Sequence, residues 1–381
     1  MCGARGRLVL LTGAIALVLG AGALWAQGSP VRPRLAAEAD TNDWQAYFDY
    51  GVEQLQRVPG RADAAFYWAG RLDPWRSEPF YGRWVTFWMR HDGDWADYLA
   101  ENPRILRNPE VRRADSLLLA ALVRNPLTGR RLEALVYHSV PGEWGHDLAT
   151  EGYLAYADGR YGDAVKVWGR LVLQDSVRNV WWRYNRALAF AAMQQFDSAR
   201  VEITRLTAQV DTASTKIVLV YQSRELLHYA IGLLEIVHGD HAAARSALGH
   251  ALVENLAFAP AHAALGELAV MDNDHAAAAQ ELAQAVELDS ANVWYRFRYG
   301  AELVRAGRSL EAVGELHRAI ELEPFYAEPY FVLGRALEGV PDTSGAVGAF
   351  LEYLRRSPRR MEDQRTTARQ RILALGGRIP S

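Results

Sequence analysis

"AHAALGELAVMDNDHAAAAQELAQAVELDS" runs from Ala261 to Ser290. Its apolar residues recur at helical spacing on both sides of a short polar turn, "MDND". A glycine, Gly266, stands inside the first helical half, where it costs about 1 kcal/mol relative to alanine. The same glycine returns at Gly232, Gly300 and Gly334, so that all four lie 34 residues apart. Twelve residues after each comes an alanine (Ala244, Ala278, Ala312, Ala346), and four further a large apolar residue (Leu248, Leu282, Leu316, Phe350). Three more bring Ala251, Ala285, Ala319 and Tyr353, and two blocks end in Pro324 and Pro358. A fixed period of this length marks a repeat array. Each unit reads as two antiparallel helices, and the glycine as the point where the first faces the alanine of the second and the backbones approach.

The pattern resembles the tetratricopeptide repeat, with small residues at the eighth, twentieth and twenty-seventh positions, a large one at the twenty-fourth and often proline at the thirty-second. In that register the units are 225–258, 259–292, 293–326 and 327–360. Another, 145–178, carries Gly152, Gly159, Tyr161, Ala164 and Trp168, with Leu171 where a small residue belongs. A weaker one, about 180–213, keeps Phe196, Ala199 and Ile203 but has Ala187 for glycine. The extra stretch "STKIVLVYQSR" is expected to lengthen the first helix of the 225 unit. The resemblance implies an all-α fold, a right-handed solenoid of antiparallel helix pairs, with an array over 145–360 and a capping helix and tail over 361–381. Residues 44–140, broken by Pro59, Pro74, Pro79, Pro103, Pro109 and Pro126, read as irregular helices and degenerate repeats. There "YWAGRLDPWRSEPFYGRWV" loosely echoes the later "RAIELEPFYAEPYFVLGRAL".

The 381 residues are 50% apolar and carry a net charge of −3, which argues against a nucleic-acid footprint. Only Lys166 and Lys216 are lysines, an arginine bias of the kind a GC-rich bacterial genome gives. Arg5 and Arg7, an apolar run to Ala26 and then "QGSP" describe a secretory signal peptide over 1–26, cleaved after Ala26 or Ala23. An uncleaved inner-membrane anchor is the alternative. Cleavage would remove Cys2, the one cysteine. Residues 27–43 then form a polar linker. The expected location is periplasmic or secreted.

No phosphate loop, nucleophile elbow or metal-protease motif is present, so neither enzyme activity nor a cofactor is expected. His238, Asp240 and His241, like Asp274 and His275, read as solvated turn residues, and Glu321 and Glu323 as helix-surface charge. In the tetratricopeptide family the first helices line a concave groove. Carried over by position, that groove takes Tyr153, Tyr156, Trp181, Tyr184, Tyr229, Leu233, Trp294, Phe297 and Phe331. A lysine clamp for a carboxyl terminus is absent from these positions. So long an aromatic stripe needs a cover. A partner peptide or helix can supply it, or the chain's own N-terminal region can. Six tryptophans between Trp44 and Trp95 read mainly as core, with an aromatic sugar or envelope-polymer platform as the alternative. The function expected is a protein-binding scaffold of the envelope.

Overall fold

In the computed structural model, residues 29–90, 109–127, 132, 148–174, 179–212 and 223–379 are described. The expected leader, most of the "STKIVLVYQSR" insertion, Trp95 and the side chain of Trp88 lie outside them. Among the described residues the regular structure is helical throughout. The first four helices are α1 (Trp44–Gln54), α2 (Pro59–Leu72), α3 (Glu78–Met89) and α4 (Pro109–Arg124). The expected array supplies α5 (Leu148–Ala157) and α6 (Tyr161–Gln174), α7 (Asn179–Ala192) and α8 (Phe196–Thr212), α9 (Arg224–His238) and α10 (His241–Glu254). It continues with α11 (Ala259–Met271) and α12 (His275–Leu288), α13 (Val293–Arg305) and α14 (Ser309–Leu322), α15 (Glu328–Gly339) and α16 (Thr343–Arg356). α17 (Glu362–Ala374) closes the row, with Ala368 and Ile372 buried against it. From α9 to α17 each helix packs on the next, the arrangement of a helical solenoid.

The glycine does what its placement asks, against a different partner. A Cβ on Gly266 would stand 2.8 Å from Leu282 Cγ and 3.4 Å from the Ala278 carbonyl oxygen. The large side chain four residues beyond the alanine is therefore what fills the missing Cβ. Gly232 with Leu248, Gly300 with Leu316 and Gly334 with Phe350 repeat the contact.

The turns carry a second register. Gly159, Gln194, Gly239, Asn273 and Gly307 take positive φ of 74°, 59°, 88°, 59° and 75° at the same turn position of five units. Glycine and asparagine tolerate that left-handed conformation best. It lets the next amide reach back and close the end of the first helix, as Asp240 N does to Glu235 O (3.0 Å) and Asp274 N to Ala269 O (2.9 Å). In the last unit Pro341 occupies this position, and Asp342 N still bonds Leu337 O at 3.0 Å. Asp240, Asp274 and Asp342, 34 and 68 residues apart, then cap the second helices by accepting from Ala243 N, Ala277 N and Gly345 N at 2.9–3.0 Å. The histidines beside the first two are not merely solvated. His241 Nδ1 lies 2.6 Å from Asp272 and His275 Nδ1 2.9 Å from the buried Glu302, each tying one repeat to the next.

The N-terminal helices repeat this chemistry with altered spacing. Gly51 on α1 and Gly82 on α3 both turn towards Phe66 on α2, where an added Cβ would meet the ring at 2.6 and 2.8 Å. Ala114, Leu118, Ala121 and Pro126 keep the spacing of Ala312, Leu316, Ala319 and Pro324.

Candidate interaction face

Two acid-proline turns meet in space. Asp73 follows α2 and accepts from Trp75 N at 3.3 Å; Glu323 follows α14 and accepts from Phe325 N at 3.2 Å. The loose echo in sequence is thus a shared turn geometry, and the two turns lie against each other. Arg71 donates from Nε and a terminal nitrogen to the two carboxylate oxygens of Glu323 at 2.9 and 3.0 Å. Trp68 meets the Phe325 ring edge-on at 5.1 Å, and Arg71 lies 4.6 Å over that ring. Glu323 is 2% exposed, which corrects its reading as surface charge, whereas Glu321 is exposed. The N-terminal helices cover Glu323, and burial pushes its carboxyl up from the usual range in spite of Arg71.

The same layer reaches the first helices of the array. Trp75 stacks on Trp294 at 3.7 Å and 13°, and Tyr295 lies 6.4 Å from it. The Tyr229 hydroxyl donates to the Val123 carbonyl at 3.0 Å, and the Tyr184 hydroxyl donates to the Pro126 carbonyl. Leu55, Phe66, Phe80, Trp84 and Leu117 share one apolar core with Leu226, Tyr229, Leu248 and Phe258. Arg124 fastens α4 from within by donating to the Pro74 and Ala120 carbonyls at 2.7 Å and stacking 4.0 Å over Phe80. Burial pushes its guanidinium down to about 10.

Residues 29–43, expected to be a linker, form a strap with two attachments. Arg32 sits over Trp68 and Tyr47 at 4.8 and 5.1 Å, and Trp68 Nε1 donates to the Pro30 carbonyl at 3.0 Å. At the far end Asp40 accepts from Arg359 N at 2.5 Å, Asp43 pairs with Arg360 at 2.7 Å, and Asn42 donates to the Arg355 carbonyl at 2.8 Å.

None of the nine expected groove residues is exposed. Tyr184, Tyr229 and Trp294 are buried against the N-terminal layer, while Trp181 and Leu233 pack partly against the core it shares. Tyr153 and Tyr156 are turned into the array, where both meet Trp168 at 5.7 Å. Phe297 packs edge-on to Tyr326 at 5.5 Å, and Phe331 lies 5.1 Å from Tyr353. Of the two covers expected for the stripe, the chain's own N-terminal helices supply the one over Tyr184, Tyr229 and Trp294, while Tyr153, Tyr156, Phe297 and Phe331 pack within the array. Trp44, Trp68 and Trp84 are buried, and Trp75 is taken up by Trp294, so these rings form no open platform. Sequence reasoning missed Arg71, Asp73 and Arg124. The one available signal for the first two was the echo between the acid-proline turns.

No family model and no curated protein sequence matches the chain. Among solved structures it is similar to YrrB, a tetratricopeptide protein described as having an unusual peptide-binding site. Identity there is 16%, covering 54% of this chain and all of that one, with a TM-score of 0.42. The MamA protein gives 18% identity over 50% of this chain and 95% of that one, TM-score 0.40. The C-terminal part of a TPR repeat-containing protein from Cytophaga hutchinsonii gives 14% over 60% and 95%, TM-score 0.45. The chain's own register, renewed at the turn caps and glycine contacts, gives it the fold of an all-α helical solenoid whose repeats resemble the tetratricopeptide repeat.

Proposed function

We propose that this chain is a non-enzymatic protein-interaction scaffold, exported to a bacterial cell envelope. It takes a helix or extended peptide along the side lined by the first helices. One observation carries the reading: that side already holds helical surface and backbone carbonyls, supplied by the chain itself. A face that engages helix side chains and main-chain groups has the chemistry to engage a partner's. The partly buried Trp181, Leu233, Phe297 and Phe331 are where a partner would lengthen the layer.

A photo-reactive residue in place of Phe297 tests this in the full chain. Irradiation in the native host should give an adduct with one envelope protein. A synthetic peptide of residues 59–76, which copies α2 and its turn, should diminish that adduct. Adducts confined to the chain's own N-terminal residues would mean that the face serves only internal packing. Export has its own check. The mature protein should begin near Leu24 or Gln27, whereas a membrane-bound form starting at Met1 or Cys2 would show an anchor instead.

A further inference from the structure

The fourth position of the repeat carries a cation slot. Arg183, His262 and Arg296 stand there in the units 180–213, 259–292 and 293–326, each with a glutamate nineteen residues on. Arg183 donates to Glu202 at 3.1 Å and Arg296 to Glu315 at 2.5 Å, and His262 Nδ1 lies 2.8 Å from Glu281. A second contact repeats as well. Arg296 Nε donates to the Ser290 carbonyl at 2.7 Å, and His262 Nε2 lies 3.3 Å from the carbonyl of Leu256, the matching residue one period earlier. In the units 225–258 and 327–360 the glutamate is replaced by Ala247 and Ala349, and the fourth residues are His228 and Tyr330. Both partners of His262 are acceptors, and only the doubly protonated ring has a hydrogen for each. That ring is 9% exposed. Glu281 on α12 is the charged group acting on it, and the turn after α10 offers the Leu256 carbonyl. On the other helices packed against α11, Arg224 of α9 pairs with Glu254 of α10 at 2.7 Å, and His228 lies 5.4 Å from His250. His241 and Arg245 of α10 meet Asp272 at the far end of α11.

We propose that His262 makes one joint of the array pH-sensitive: protonated, it ties the turn after α10 to α12 as Arg296 does one repeat later, and neutral, it releases that turn. The turn carries Phe258, which is buried edge-on to Tyr229 at 5.6 Å in the core shared with the N-terminal layer, so the joint lies under that layer. The hydrogen bond to Glu281 holds the His262 imidazolium above the ordinary histidine range, against burial. His228, at the same position without the glutamate, is pushed the other way by burial and by His250. A base whose value is raised in the closed state stabilises that state in full below its ordinary value. The gain is lost as pH rises through the raised one. The turn is therefore held in mild acid and released in mild alkali.

Amide hydrogen exchange on the full chain, corrected for intrinsic rates, reads the opening of residues 255–261. Between about pH 6 and about pH 8 it should rise several-fold. The matching stretch 289–295, held by the permanent cation of Arg296, serves as the internal control and should not follow. His262→Arg copies that cation, so it should abolish the rise and keep 255–261 at its acid level of opening. His262→Gln, which removes the charge, should abolish the rise as well, but at the released level. A flat wild-type profile at 255–261 would overturn the proposal, and so would an equal rise at 289–295 or a rise that survives in His262→Arg. Should His262→Arg not fold, His262→Gln decides: a profile that still rises as in the wild type overturns the proposal.

Discussion

Gly266 and Gly249 sit on neighbouring helices of one array and should answer the same substitution with opposite signs. At Gly266 a methyl group would press on Leu282, which is fully buried, so Gly266→Ala should cost about 1–3 kcal/mol. At Gly249, inside α10, nothing lies within 4 Å, so Gly249→Ala should stabilise by about 0.5–1 kcal/mol through helix propensity and the unfolded chain. Paired thermal melts check both, and equal shifts would remove the close-approach account. Arg71 and Glu323 behave differently because each is needed by the other. Glu323→Gln leaves a guanidinium in a junction built for a carboxylate and should cost about 3 kcal/mol or more. Changing both to apolar residues of similar volume should recover much of that loss. An additive loss in urea titrations would show the pair to be uncoupled.

At the scale of elements, the turn aspartates repeat one device three times. Asp274→Ala should cost about 0.5–2 kcal/mol, with exchange quickened first in the opening turn of α12. Elements of this kind were legible in the sequence because everything that specifies them lies within one period. The glycine, the large residue sixteen places on and the turn residue between them are close in the chain. The helices α1–α4 were legible only as helices, through their prolines and spacing. Their docking was not, since Arg71 and Glu323 are 252 residues apart and no local periodicity registers such a pair. Family positions put Tyr229 and Trp294 on the first helices of their units, but a position says which way a ring points and not what meets it. The clustered tryptophans and the echoing acid-proline turns were the traces of that meeting. They could be weighed only once Trp75 was seen against Trp294 and Trp68 against Phe325.

For the whole molecule the N-terminal layer and the array are joined by a shared apolar core and by the strap at Asp40 and Asp43. Removing residues 29–127 should uncover Leu226, Tyr229 and Trp294 together, and the remaining array should associate or precipitate rather than persist as a monomer. The most direct measurement is a double-mutant cycle on Trp75→Ala and Trp294→Ala, followed by chemical denaturation. Rings stacked at 3.7 Å should show a coupling of about 0.5–1.5 kcal/mol, because either change alone already breaks the stack. Costs that add to within about 0.3 kcal/mol would mean that the two rings do not meet, and that the layer does not lie on the array.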